Sequence, residues 1–384
     1  MSKTIKGRLS NLDKYIQRKW EEYYWNFVIR HEYKINWSMI SQNPNITMEI
    51  IEKNLNKPWN WYWRAISKNP NLTMEMIEKY PDKYWDWSFI SQNPNLTMEI
   101  IDKYPDTEWA KWNWNCISEN PNLTMEMIDK YPDKPWNWNW ISYNPNITME
   151  MIDNSPDKPW DWRSISYNPN ITMDFIDKYP DKPWVWNEIS RNPNITMKII
   201  DKYSDKPWIW KNISYNPNIT MEIIQNNPDK PWDWNCISEN PNITMEIIEN
   251  SPEKPWNWLY ISRNPNLTME FIKNSSKKPW NWDYISRNPN ITMEIIENSL
   301  EKPWNWYYIS GNPNITMEMI ENSPDKPWNW NFISYNKFTK EKKIFYQKYY
   351  RIYMATFRLQ QYFNRMYDNP KYSFCKKRLE KMFS

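Results

Sequence analysis

Apolar and polar positions repeat along this chain in a fixed order. Each unit begins with Asn-Pro-Asn, continues through Ile/Leu-Thr-Met-Glu-Ile-Ile and a polar proline turn, and ends in Trp-Asn-Trp-x-x-Ile-Ser. A regular copy runs from Asn120 to Ser142, and from Pro121 to Pro313 the proline of the Asn-Pro step recurs every 24 residues. Self-similarity at such a period is typical of stacked repeat arrays. The pattern predicts an all-α solenoid, a superhelix of about twelve repeats of 24 residues.

The first half of each unit predicts a short α-helix. In the first copy Thr47 suits the N-cap, because its hydroxyl can accept a hydrogen bond from an otherwise unpaired backbone N–H. Ile46 and Ile51 hold the positions of a hydrophobic staple, and Glu49 in the first turn is favourable against the helix dipole. The helix is expected to end after about two turns at the next proline, which cannot continue it.

The second half, Asp-Lys-Pro-Trp-Asn-Trp-x-x-Ile-Ser, predicts another short helix. In the regular copy Asp133 is the expected cap, and Pro135 falls in the first turn, where its missing N–H has no cost. Trp138 and Ile141 lie three residues apart and share a face. The piece is short enough to be 3₁₀ rather than α. Two insertions, at Tyr62–Trp63 and in the segment 106–111, predict bulged loops.

The segments that flank the array have a different pattern. Residues 1–36 place apolar side chains at helical spacing and predict an N-terminal helical cap. Residues 37–336, the repeat solenoid, carry 28 basic against 39 acidic residues, whereas residues 337–384 carry 13 against three and predict a basic C-terminal helical cap or tail. The tail residues that are candidates for binding an acidic partner or nucleic acid are Arg351, Arg358, Arg365, Lys376, Lys377 and Arg378.

One position of the repeat varies while its neighbours do not. The residue between Ser and Asn-Pro is Gln, Lys, Glu, Tyr, Arg or Gly in different copies, which indicates an exposed column. Such a column is a plausible partner-binding surface on a solenoid, although plain solvated surface explains the same variation. The candidate partner-binding residues in it are Tyr143, Tyr167, Arg191, Tyr215, Arg263, Arg287 and Tyr335.

The 30 tryptophans suggest stacking on sugars or bases, but their regularity favours a core role, with indole N–H groups bonded to neighbouring carbonyls or Asn side chains. Every repeat also holds the glycosylation sequon Asn-Ile/Leu-Thr; a turn Asn and a capping Thr explain it better.

The motif Ile-Ser-x-Asn-Pro-Asn-Ile/Leu-Thr-Met-Glu-Ile-Ile resembles the leucine-rich variant repeat, which has the same period, and the match spans residues 37–336. That resemblance implies short α-helices alternating with 3₁₀ helices in a right-handed solenoid. The chain departs from that pattern by having Trp-x-Trp in place of the charged second helix and Met after Thr. The cysteine cluster associated with one member has no counterpart, so no metal site is carried over. With its basic tail, the Trp-rich version is similar to repeat proteins of giant DNA viruses (mimivirus-like).

Few residues favour catalysis. His31 is the only histidine, and with two glycines the chain has no phosphate-binding loop. We therefore expect a non-enzymatic protein-interaction scaffold of viral origin, with no cofactor and no metal site. Nucleic-acid binding through the basic tail and a structural role in a virion are the alternatives. Three cysteines, no apolar leader and no long apolar stretch predict an intracellular protein, in host cytoplasm or virion, with no membrane span.

Overall fold

A computed structural model describes residues 3–61, 63–105, 111–369, 371–373, 375 and 377; for residues 3–10, 60, 61 and 368 it describes the backbone alone. Within these ranges the chain is helical, without a β-strand, and the helices recur in regular repeats, so the predicted fold class is confirmed. The chain forms two compact units. One is the repeat array Tyr33–Lys337, and the other combines Met1–Glu32 with Phe338–Ser384.

The first helix of each repeat, called here a Met helix, begins at the methionine after the predicted threonine cap. In eleven of the twelve described Met helices the threonine hydroxyl accepts a hydrogen bond from the backbone N–H three residues on, as predicted. Thr196 is the exception. The staple residues Ile46 and Ile51 are both buried. The Met helices are Met48–Lys53, Met74–Lys79, Met98–Lys103, Met125–Lys130, Met149–Asn154, Met173–Lys178, Met197–Lys202, Met221–Asn226, Met245–Asn250, Met269–Asn274, Met293–Glu297 and Met317–Asn322.

The second helix, called here a Trp helix, begins later than the sequence predicts. Asp133 does not cap it, and Pro135 lies in the irregular segment before it. The cap is Asn137, whose side chain accepts from the N–H groups of Asn139 and Trp140. Asp or Asn fills this role in ten of the described copies, and the helices are α rather than 3₁₀. The Trp helices are Trp37–Ser41, Trp63–Ile66, Trp87–Ser91, Trp114–Glu119, Trp138–Tyr143, Trp162–Ile165, Trp186–Ile189, Trp210–Tyr215, Trp234–Glu239, Trp258–Ile261, Trp282–Arg287, Trp306–Ile309 and Trp330–Tyr335.

The first irregular copy adds a 3₁₀ helix, Pro58–Trp61, before its Trp helix. Of the two predicted bulged loops, Tyr62 and residues 106–110 lie outside the described residues.

Buried asparagines join each repeat to the one before it. Asn168 is fully buried, and its Nδ2 lies 3.1 Å from the carbonyl oxygen of Ser142 and 3.0 Å from those of Asn144 and Ile147. Its Oδ1 accepts from the N–H of Asn170 at 2.9 Å. One side chain thus supplies hydrogen-bond partners to several backbone groups. Buried backbone N–H and C=O groups need such partners because water cannot reach them.

The tryptophans form the predicted ladder. In each repeat the indole ring that opens the Trp helix contacts the first Trp of the next Trp-x-Trp segment edge to face, with ring centroids 4.9 to 5.6 Å apart. The first Trp also donates from its ring nitrogen to a backbone carbonyl, as Trp208 does to Tyr203 at 2.8 Å. This geometry is a favourable aromatic arrangement and satisfies the indole N–H.

The array closes on itself. Asn43, in the first repeat, donates from Nδ2 to the carbonyl oxygens of Ser334 and Asn336, both at 3.0 Å. Asn45 donates to the carbonyl of Lys337 at 2.9 Å, and the N–H of Asn36 donates to the Ser334 hydroxyl at 2.9 Å. These bonds repeat the pattern between consecutive copies. The first and last Trp helices are therefore neighbours, and thirteen described Trp helices complete the circuit.

The second unit is a pair of long helices, Lys3–Arg30 and Thr339–Asp368. They pack antiparallel through aromatic rings, since Trp20 contacts Phe345 with ring centroids 5.4 Å apart and Tyr15 contacts Tyr349 at 6.4 Å. Tyr23 donates from its hydroxyl to Glu341 at 2.8 Å. The two ends of the chain thus form one unit with each other.

Candidate functional site

The variable column lies where each Trp helix ends. The Ser before each column residue and the Asn after it are buried, so the residue between them is turned outward. All seven predicted residues occupy this one position in different copies, and all are exposed: Tyr143, Tyr167, Arg191, Tyr215, Arg263, Arg287 and Tyr335. The exposed fraction of Tyr335 is 54%, which is high for a large aromatic side chain.

Some column residues contact the column residue of the next copy. Gln92 donates to the Glu119 carboxylate at 3.0 Å, and the rings of Tyr143 and Tyr167 meet edge to face with centroids 6.2 Å apart. Arg263 likewise pairs with Glu239 of the preceding copy at 3.6 Å. Column residues thus contact each other in three pairs of consecutive copies.

A second column, which sequence reasoning missed, supports the first. It lies three residues earlier on the Trp helix and holds aromatic residues in several copies, among them Phe89, Tyr284 and Tyr308. The guanidinium of Arg287 lies 3.8 Å from the ring centre of Tyr308, and that of Arg263 lies 3.9 Å from Tyr284, whose hydroxyl it also contacts. The sequence signal that could have identified this second column is its i, i+3 spacing from the variable column, because residues three apart lie on one helix face. These stacked pairs hold the arginines in place.

A concavity on this face spans the seam of the array. A cavity of about 460 Å³ is lined by Gln42, Lys68, Phe89, Gln92, Tyr335 and Lys337, together with proline rings of the Asn-Pro steps. Residues from both ends of the array meet in it, so it depends on the closure described above. A second, apolar cavity of about 340 Å³ lies between the Met helices Met74–Lys79 and Met98–Lys103.

Charged side chains on the Met helices form ion pairs with the neighbouring copy. Lys79 contacts Glu52 at 2.7 Å, and Lys178 contacts Asp153 at 2.9 Å. The hydroxyl of Tyr179 donates to Asp153, and this hydrogen bond, together with Lys178, lowers the pKa of that carboxyl. Many of the acidic residues that give the array its negative balance are thus engaged with a neighbouring repeat.

The predicted basic residues of the tail are partly described. Arg351, Arg358 and Arg365 are exposed at seven-residue intervals on the helix Thr339–Asp368, and Lys377 is also exposed. Lys376 and Arg378 lie outside the described residues. Large apolar side chains are exposed on the same half of the helix, including Leu359 and Phe363 at 59% and 60%.

Two of the three thiols, Cys116 and Cys236, are poorly suited to nucleophilic chemistry. Burial raises the pKa of Cys236 to about 11, and burial also raises that of Cys116. A thiol that stays protonated at neutral pH is a weak nucleophile. Over the described part of the chain, His, Cys, Asp and Glu side chains form no group that could hold a metal ion.

Among the helices of the described ranges, none is both long and apolar enough to cross a bilayer.

Comparison with known proteins found no matching protein family, no matching curated protein and no matching solved structure.

Proposed function

We propose that this protein is a non-enzymatic protein-interaction scaffold, and that the variable column is its binding surface. The observation that carries the proposal is the column's exposed tyrosines and arginines, which follow one another on consecutive copies. Tyr and Arg are the residue types that most often dominate the binding energy of protein interfaces. They bring aromatic area and charge to one continuous surface.

The surrounding framework supports the same proposal. Each column residue is held between a buried Ser and a buried Asn, so its backbone is fixed before a partner arrives. A preorganised surface loses less conformational entropy on binding. The framework bonds come from invariant repeat positions, so the column can change from copy to copy without loss of packing.

The resemblance to leucine-rich variant repeats, and to Trp-rich repeat proteins of giant DNA viruses, extends the proposal. We propose that the chain is a viral repeat protein that works without a cofactor inside the host cell, in the cytoplasm or in the virion. A structural virion component is the related alternative, in which the partner is another copy of the chain. Sedimentation of the purified protein tests it, because a structural role requires self-association at micromolar concentration.

Replacing three consecutive column residues, Tyr167→Ala, Arg191→Ala and Tyr215→Ala, is expected to reduce partner recovery at least tenfold in affinity capture from the native cell context. The reason is the loss of two aromatic anchors and one charge from a continuous surface. Quantitative mass spectrometry after nuclease treatment measures the recovery. The substitutions are exposed, so circular dichroism should not change.

The matched control replaces Tyr84, Lys198 and Lys273 by alanine; these residues are exposed and lie outside the column. Recovery should remain at the wild-type level in this variant. Equal loss in both triple variants, or no loss in either, would count against the column as the binding surface.

A second candidate is nucleic-acid binding through the C-terminal helix. The observation in its favour is the exposed series Arg351, Arg358 and Arg365, which is accompanied by exposed aromatic rings such as Tyr362 and Phe363. Basic side chains neutralise phosphates, and aromatic rings can stack on bases.

If this candidate is correct, the variant Arg351→Gln, Arg358→Gln, Arg365→Gln should bind a labelled DNA duplex more weakly. The slope of log affinity against log salt should fall by up to about 3, since each phosphate contact contributes about 0.9. Fluorescence anisotropy at several salt concentrations measures the slope. An unchanged slope, with the alanine variant of the column binding DNA less, would assign nucleic acid to the array instead.

A further inference from the structure

We infer that the seam cavity binds an extended acidic segment of a protein partner. This inference rests on the proposed function and names the chemistry of the partner. The cavity holds Lys68 and Lys337, the amides of Gln42 and Gln92, and the rings of Phe89 and Tyr335. A volume of about 460 Å³ falls in the usual range of ligand pockets, roughly 300–1,000 Å³.

The cavity is unlike the rest of the face because of its position at the seam. In every other copy the Ser-x-Asn segment is followed by proline, whereas Ser334-Tyr335-Asn336 is followed by Lys337. Closure brings this lysine next to the first repeats, because Asn45 bonds to its carbonyl oxygen. Lys68 reaches the same cavity from the second repeat. Two lysines that are far apart in the sequence therefore line one cavity.

The two lysines make the cavity a site for carboxylates. Neither forms an ion pair with a described residue, and the ammonium of Lys68 lies 4.0 Å from the ring centre of Phe89. Of two acids on the neighbouring copies, Asp86 pairs with Arg64 at 2.8 Å, and Glu119 accepts a hydrogen bond from Gln92, which lines the cavity. Unpaired positive charge in a concave site attracts and orients an acidic ligand.

The amides and rings favour a peptide over a small anion. Gln42 uses its N–H group on the carbonyl of Ser38 at 3.1 Å, and Gln92 uses its own on Glu119. The amide oxygens are then available as acceptors for peptide N–H groups. Phe89, Tyr335 and the proline rings offer apolar surface for a side chain between two acidic residues.

The test uses the full chain and the fluorescein-labelled peptide Glu-Glu-Phe-Glu-Glu, with Lys-Lys-Phe-Lys-Lys as its charge-reversed counterpart. The acidic peptide should bind in an anisotropy titration and the basic one should not. The double variant Lys68→Gln, Lys337→Gln should bind at least tenfold more weakly. Both lysines are exposed, so the fold should be unaffected. Lys198→Gln, Lys273→Gln, which removes the same charge elsewhere, should bind like wild type.

A second variant examines the role of closure. Asn43→Ala removes the side-chain bonds across the seam and should weaken peptide binding, whereas Asn240→Ala removes the equivalent bonds between two interior repeats and should weaken it much less. The inference is overturned if the two peptides bind equally, if the Lys68/Lys337 variant keeps wild-type affinity, or if a labelled DNA duplex binds in a Lys68- and Lys337-dependent manner and the peptide does not. These outcomes leave the capture experiment on Tyr167, Arg191 and Tyr215 untouched, so failure of this inference and failure of the proposed function can be told apart.

Discussion

The variant Asn168→Ala is expected to lower the free energy of unfolding by about 3 kcal/mol, because its two amide N–H groups and its amide oxygen serve four buried backbone groups and a typical net contribution is about 1 kcal/mol per hydrogen bond. The carbonyl oxygen of Ser142 would lose the Asn168 amide, and those of Asn144 and Ile147 would each lose one of two donors, because the N–H of Ile147 and the amide of Asn170 remain. Water cannot replace the lost donor without opening the stack. Urea unfolding of the full chain, followed by tryptophan fluorescence, measures the loss.

Asn170→Ala is the matched control for this prediction. Asn170 is partly exposed and donates to Pro145 at 2.7 Å and to Ile147 at 3.1 Å. Because water can reach the carbonyl groups left behind, its loss should cost about 1 kcal/mol. If Asn168→Ala proved no more harmful than Asn170→Ala, the buried asparagines would not be the main connection between repeats.

The second large effect is expected at the tryptophan ladder. Trp208→Ala should lower the free energy of unfolding by about 3–5 kcal/mol, the usual range for removing a buried Trp. The ring is 9% exposed and packs edge to face on Trp186 at 5.1 Å. The same urea titration measures it, and hydrogen exchange should show faster opening of both repeats that share the pair.

Two variants separate the parts of this effect. Trp208→Phe keeps a ring but removes the indole N–H from the Tyr203 carbonyl, which retains the backbone N–H of Lys206 at 3.1 Å, and should cost about 1–2 kcal/mol. Ile209→Ala changes the next residue, which is 38% exposed, and should cost about 1 kcal/mol or less. A small loss for Trp208→Ala would mean that the indole column is a surface feature rather than the core of the array.

Local rules explain which parts of each repeat were predictable. Thr47 and its equivalents cap the Met helices because a threonine before an apolar helical stretch leaves few alternatives. The start of the Trp helix was mispredicted because Asp133 and Asn137 are both good caps and Pro135 suits a first turn. The competition was decided by a contact between repeats. The N–H of Asn137 donates to the Ser118 hydroxyl of the previous copy at 2.9 Å, which fixes the backbone there.

The candidate site was predictable in position but not in environment. Variation between copies identified Tyr143, Arg263 and the other column residues, because only an exposed position can change within a fixed unit. The stacking of Arg263 on Tyr284 and the cavity around Lys68 and Lys337 depend on residues from different copies. Contacts of this kind depend on how consecutive repeats are oriented relative to each other, which the sequence of one repeat does not specify.

The sequence by itself determined the repeat, the two short helices in each copy, the threonine caps and the exposed column, since these follow from bonds and burial within one or two units. Only the tertiary structure decided that the array closes. Closure is the sum of small rotations over the whole array, and it succeeds because Asn43 and Asn45 find at Ser334, Asn336 and Lys337 the carbonyl groups that they would find in any preceding copy. The seam cavity follows from that closure.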